Sequence, residues 1–146
     1  MVVVFMNSAE DIWERIRSAV LDAGFSIDRI DIFDKQHGTF KHFVSDNTAG
    51  ADLMLHCRKP LDAQKVQAVQ RTTTDAQTSV ADFLKKRKGS IPMLPYLHVK
   101  RDTDIDYRTL YSEFLSEVLL ENGRMVDFAS FRAQALNTLE NNEGGK

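Results

Sequence analysis

Apolar and polar positions at the start of the chain follow two different periods. Val2 to Met6 form a continuous apolar run rich in β-branched residues, which is typical of a strand buried on both faces of a parallel sheet covered by helices. Apolar positions from Ile12 to Ala23 then recur at helical spacing. Ser8 is the predicted N-cap of this helix, and Gly24 is its predicted end. The pattern therefore predicts a strand followed by a helix.

Two more strands are predicted before residue 60. The stretch from Phe25 to Ile32 is strand-like, and its alternation breaks between Ile27 and Ile30, which indicates a bulge or a twist. Residues 34–50 are polar and contain glycine, so they are predicted to form a loop. The third strand, 52–58, ends before Pro60 and should place Leu53, Leu55 and Cys57 on one face and Met54, His56 and Arg58 on the other.

The connections between these segments predict how the strands pair. A helical crossover joins the first two strands, so they are expected to run parallel. A loop without a helical pattern joins the second strand to the third, which favours an antiparallel ribbon. Beyond Pro60 the pattern is mainly helical, so we divide the chain into an α/β region at 1–60, a helical tail at 61–140 and a disordered end at 141–146.

The helical tail contains several segments. We predict a weak helix at 61–70, a helix capped by Thr74 or Asp75 that ends at Gly89, an extended segment at 91–99, a helix at 105–121 stopped by Gly123, and a last helix around 128–136.

Composition limits the classes of function. The chain has 146 residues, of which 42% are apolar and 27% charged, as in globular proteins. It has no apolar run of membrane-spanning length and no signal-peptide pattern, so the expected location is cytoplasmic.

Its single cysteine, Cys57, excludes an internal disulfide and favours a buried apolar role. The net charge of −2 argues against an autonomous nucleic-acid binder, although a local basic patch is compatible with it. The four histidines do not share metal-ligand spacing, so no metal site is predicted.

Three stretches carry a resemblance to a protein family. They are VVVFMNSAEDIW at 2–13, DKQHGTFKHFVSDNTAGADLMLHCRKP at 34–60 and DYRTLYSEFLSEVLLENGRMVDFASFRAQAL at 106–136. Together they cover 70 of the 146 residues, and their order and spacing resemble the site-specific, adenine-specific DNA methyltransferases of bacteria and archaea. The resemblance implies an α/β fold with part of a Rossmann-like sheet. This chain would supply its last three strands, in the spatial order fifth, seventh, sixth with the final strand antiparallel, followed by a helical tail.

The same resemblance implies what the chain does and what it lacks. The family binds S-adenosylmethionine with a Gly-rich turn after its first strand, and acts on a flipped base with an Asp/Asn-Pro-Pro-Tyr/Phe loop after its fourth. Neither motif occurs here. We therefore expect the C-terminal part of a DNA adenine N6-methyltransferase of restriction-modification type, completing its sheet and base pocket. We expect it to be inactive alone, to hold no cofactor, and to have DNA and a missing N-terminal half as partners.

Candidate DNA- or base-contacting residues fall into three groups, each with a plainer interpretation. Phe33, with Lys35 close by, lies at the end of the second strand and is suited either to form part of the wall of the base pocket or simply to pack at the strand end. Phe40 beside Lys41 in the loop is suited either to stack on a base while the lysine contacts a phosphate, or to anchor the loop. The basic run, Lys85, Lys86 and Arg87, is suited either to contact DNA phosphates or to interact with the dipole at the C-terminal end of its own helix.

Two alternatives come from other classes of function. The first strand, without a neighbour on one side, would leave an open edge, and a small assembly module could form a homodimer by pairing there. A DNA-binding module is the third possibility.

Overall fold

The computed structural model describes residues 1–34, 51–61, 78–87, 89–93 and 105–143, without the side chains of Asp34 and 140–143. The predictions for 35–50, 62–77, 88, 94–104 and 144–146 lie outside these described residues. The described elements are β1 (Val2–Phe5), α1 (Glu10–Asp22), β2 (Ser26–Asp34), β3 (Ala51–Arg58), α2 (Val80–Lys86), α3 (Tyr107–Leu120) and α4 (Phe128–Glu143).

The three strands form one sheet in the order β1-β3-β2. Because β3 is antiparallel to both neighbours, β1 and β2 run in the same direction on either side of it. The predicted spatial order and the predicted antiparallel third strand are therefore confirmed. The register of β2 on β3 shifts between Ile27 and Arg29, so the predicted bulge is confirmed as well. Asp28 is the extra residue, and its side chain is ion-paired to Arg58 at 2.7 Å.

One face of the sheet is covered by helices. The alternation of β3 is as predicted, with Leu53, Leu55 and Cys57 buried. Helix α3 packs on β2 and β3. All four helices contribute to the single core over this face, which contains Trp13, Val20, Leu53, Leu55, Cys57, Val80, Phe83, Leu84, Leu110, Tyr111, Phe114, Leu115, Val118, Leu119, Met125, Phe128, Phe131 and Ala135.

The N-caps of two helices differ from their predictions. The N-cap of α1 is Ala9, with no side-chain cap; Asn7 Oδ1 accepts from the Ala9 N–H at 2.7 Å, so the assignment of Ser8 as the cap is wrong. Helix α2 begins at Val80 with Ser79 as its cap, not at Thr74 or Asp75. Helix α3 ends at Leu120, close to the predicted stop at Gly123. Asn122 there adopts the left-handed conformation (φ 54°), which a short polar side chain tolerates, and the Gly123 N–H donates to Val118 O at 2.9 Å.

Strand β1 differs from its prediction in burial. Val2 and Val4 are 53% and 55% exposed, so the prediction of a strand buried on both faces is wrong. The physical reason is that the described helices all lie over one side of the sheet. Helix α4 extends to Glu143. No helix in the described ranges is long and apolar enough to cross a bilayer.

Candidate functional site on the open side of the sheet

The second face of the sheet, here called the outer face, combines apolar and charged side chains. Residues directly opposite on antiparallel strands share a face, so the register defines its members. Val2 lies opposite His56 and Val4 opposite Met54, while Met54 in turn lies opposite Asp31. No described helix covers this surface. It is composed of Val2, Val4, Met54, His56, Arg29, Asp31 and Phe33, with Asp52 and Arg58 at its two ends.

Three polar side chains on the outer face form a compact network. Asp31 Oδ2 lies 2.9 Å from Arg29 Nη2 and 2.8 Å from His56 Nε2, and these two nitrogens are 3.1 Å apart. The Arg29 guanidinium donates to the carboxylate, whereas the role of the histidine nitrogen depends on its tautomer. The side chains of Arg29, Asp31 and His56 are 65%, 41% and 32% exposed. Water therefore screens the network, and its contribution to stability is about 0–1 kcal/mol.

The free edge of β1 adjoins the outer face. Met1 and Cys57 exchange both backbone hydrogen bonds, from Met1 N to Cys57 O at 2.9 Å and from Cys57 N to Met1 O at 2.8 Å. Hydrogen-bonded and non-hydrogen-bonded pairs alternate along an antiparallel ladder. Val3 and Phe5 therefore bond to β3, and the N–H and C=O groups of Val2 and Val4 point away from it. Within the described part of the chain, no strand pairs with this edge.

The outer face and the free edge of β1 are together suited to bind another protein chain. The outer face carries Met54, Phe33 and Arg29, and methionine, aromatic residues and arginine are enriched in protein interfaces. The unpaired backbone groups of β1 additionally provide a template for another strand.

Phe33 is the one residue of the predicted aromatic and loop groups that the structure describes. It lies near the end of β2, opposite Asp52, and is 51% exposed, so its ring is accessible on the outer face. Lys35, Phe40 and Lys41 lie outside the described residues.

Each residue of the basic run, Lys85 to Arg87, forms an ion pair with an acidic side chain. Lys85 Nζ lies 3.5 Å from Asp82, Lys86 Nζ lies 2.6 Å from Glu117, and Arg87 pairs with Glu113. The hydrogen bond to Glu117 raises the pKa of Lys86 above its usual range. Asp82 lies in α2 itself, whereas Glu113 and Glu117 belong to α3, so the pairs of Lys86 and Arg87 connect α2 and its C-cap to α3. Lys85, Lys86 and Arg87 lie in α2 and its C-cap, whereas Phe33 lies in β2, so the structure places the basic run in a different element from Phe33.

Cys57 and the glycines bear on nucleophilic and cofactor chemistry. Burial raises the pKa of the Cys57 thiol, which agrees with its predicted apolar role. The described glycines, Gly24, Gly89 and Gly123, each follow a helix, and the turn from β1 into α1 is built from Met6 to Ala9. That turn therefore contains no glycine. The described residues of the chain contain no cluster of metal ligands.

Sequence reasoning did not find the network of Arg29, Asp31 and His56. The three residues are separated by up to 27 positions, and only the register of β2 on β3 brings them together. The signal that could have found them is the bulge at Asp28, because it shifts Arg29 and Asp31 onto the same face as His56.

Comparison with known proteins gave no match for this chain among protein-family models, curated proteins or solved structures.

Proposed function

We propose that this chain acts as the C-terminal part of a DNA adenine N6-methyltransferase, where it completes the sheet and one wall of the base pocket. The observation that carries this proposal is the strand order β1-β3-β2 with β3 antiparallel between two like-directed strands. The resemblance in the sequence implies this arrangement for the last three strands of that enzyme class. Strands that follow each other in sequence are usually neighbours in a sheet, whereas β1 and β2 are separated by β3 in this one.

The exposure of β1 also supports the proposal. A run of valines with half-exposed side chains and outward-pointing backbone groups suits a strand that is interior in a wider sheet. In the proposed enzyme, another strand would pair with β1, and further elements would cover the outer face. We assign Phe33 to the pocket wall, because its ring is exposed at the end of β2. The chemical step and the cofactor belong to the remainder of the enzyme.

The test compares this chain alone with the same chain joined to the segment encoded directly upstream of Met1. Formation of N6-methyladenine in duplex DNA with S-adenosylmethionine would be measured by mass spectrometry. We expect product from the joined protein and none from the chain alone. An upstream segment that lacks the Gly-rich and Pro-Pro loops would overturn the proposal. So would calorimetry that shows micromolar binding of S-adenosylmethionine to this chain alone.

The assignment of Phe33 is tested within the joined protein. Base stacking on an aromatic contributes about 1–3 kcal/mol, so Phe33→Ala should lower kcat/KM roughly tenfold or more. The control is Met54→Ala, which removes an apolar side chain from the middle strand of the same face. Equal losses in both variants would indicate that Phe33 serves only packing.

A further inference from the structure

The two edges of the sheet differ in their protection against pairing. The β2 edge carries a bulge at Asp28 and the charged residues Arg29 and Asp31, which are devices that discourage another strand from joining. The β1 edge, with the sequence VVVF, has no charge, proline or bulge. Of the two edges of the sheet formed by the described strands, the β1 edge is therefore the one suited to accept another strand.

We propose that β1 of the 146-residue chain pairs antiparallel with β1 of a second copy, across a two-fold axis at Val3. Residues that face each other in an antiparallel ladder must both direct their backbone groups to the partner or both direct them away. With Val3 at the axis, Val2 faces Val4 of the second copy, and both residues have outward-pointing N–H and C=O groups. Two such pairs form across the axis, one on each side of Val3. Each pair exchanges two backbone hydrogen bonds, which makes four in total. The sheet becomes six-stranded, in the order β2-β3-β1-β1-β3-β2.

A second copy fits this edge because of its charge and its symmetry. A two-fold interface places the same surface on both subunits, so any charge in the strand would meet its own like charge or lie close to it. The strand has none, and its Val2 and Val4 side chains form an uncharged pair on the outer face. The terminal ammonium of Met1 donates to Cys57 O within its own sheet, so it does not point at the partner.

The proposed contact is small. Two paired strands of four residues form an interface at the small end of the range, where complexes are transient. The dimer is therefore expected to depend on protein concentration. The proposed dimer is independent of the proposed methyltransferase function. It forms through the β1 edge when no strand from another part of an enzyme is paired there.

Sedimentation equilibrium over a range from micromolar to millimolar protein tests the dimer. The wild-type chain should show a reversible monomer–dimer equilibrium. Val4→Lys introduces a charge at the edge, where the native side chain is already 55% exposed, and should raise the dissociation constant at least tenfold. The matched control is Phe33→Lys, a substitution at a 51% exposed position near the opposite edge, which should change the constant less than twofold.

Hydrogen exchange gives a second readout that needs no variant. The amides of Val2 and Val4 should become protected as the protein concentration rises, because only the dimer ladder bonds them. A chain that stays monomeric at millimolar concentration would overturn the inference, as would dissociation by Phe33→Lys instead of Val4→Lys. Neither result affects the DNA methylation test, so failure of the dimer and failure of the methyltransferase proposal are distinguishable.

Discussion

At the scale of single residues, neighbours in β3 have different roles because alternate side chains face opposite sides of the sheet. Leu55 has no exposed surface and lies in the core, whereas Met54 lies half-buried on the outer face. We expect Leu55→Ala to lower the free energy of unfolding by about 2–5 kcal/mol, since it leaves a cavity. Met54→Ala should cost less than about 1 kcal/mol. Urea denaturation measures both, and equal costs would mean that both faces of the sheet are covered.

Tyr111 is buried in the core, and its hydroxyl group links α3 to the segment that precedes α4. Its hydroxyl donates to Val126 O at 2.9 Å, and burial raises the pKa of the phenol well above its ordinary value of 10. Ionisation is thus easier in the unfolded chain. The stabilisation is complete below pH 10 and is lost as the pH rises from there toward the folded-state pKa.

Tyr111→Phe should therefore have two effects. At neutral pH it removes the hydrogen bond and leaves the Val126 carbonyl unsatisfied, at a cost of about 1–3 kcal/mol. Between pH 9.5 and 11, its stability should fall less steeply than that of the wild type, because one titrating group is absent. Urea midpoints across this pH range measure the slope. Parallel slopes would show that the hydroxyl does not stay protonated in the folded protein.

At the scale of elements, caps and ion pairs hold the helices in place. Asp127 precedes α4, and its side chain accepts from the Ser130 N–H at 2.9 Å and from Ser130 Oγ at 2.7 Å. These hydrogen bonds lower the pKa of Asp127 below its usual value. The resulting stabilisation is present above about pH 4 and is lost as the pH falls through the folded-state pKa.

The cap at Asp127 is tested with two variants. Asp127→Ala should lower the unfolding free energy by about 1 kcal/mol at pH 7. Asp127→Asn should retain most of that stability, because asparagine also caps helices, but its stability should fall less between pH 5 and 3. Thermal unfolding at both pH values measures the difference. An asparagine variant as unstable as the alanine variant would contradict the capping role.

The pair of Arg87 and Glu113 connects α2 to α3. The Arg87 guanidinium also lies 4.9 Å from the centre of the Phe83 ring, and the two paired side chains are only 32% and 25% exposed. A double-mutant cycle with alanine should give a coupling of about 1 kcal/mol. The exposed pair of Arg15 and Asp11, 3.9 Å apart, is the control and should give about 0.3 kcal/mol or less. Equal couplings would mean that the basic run does not hold the two helices together.

At the scale of the whole molecule, the strands and the helical tail share one core. Leu53 and Leu55 are buried among residues of α3 and α4, which lie beyond residue 60. A peptide of residues 1–60 should therefore fail to fold, because its covered face would be open to water. Circular dichroism during urea titration should show no cooperative transition, unlike the full chain. A cooperative transition would mean that the first 60 residues are an independent domain.

Much of the local structure of the described residues was predictable from sequence patterns. Periodicity located the three strands and the helices α1, α3 and α4, and the alternation in β3 identified its buried face, because these signals depend on neighbouring residues. The bulge at Asp28 and the left-handed Gly24 were predictable for the same reason. The start of α2 was not, since Ser79 caps it although Thr74 and Asp75 are equally suitable residue types.

Which surfaces of the sheet are left uncovered by the described helices depends on tertiary packing. A run such as Val2 to Met6 is equally compatible with a strand covered on both faces and with an edge strand covered on one. The arrangement of α1 to α4 on one side of the sheet distinguishes these cases. The network of Arg29, Asp31 and His56 likewise depends on the register between two strands, and register is set by contacts between residues distant in sequence. The open edge and the outer face are therefore properties of the packing, and a local pattern in the chain does not encode them.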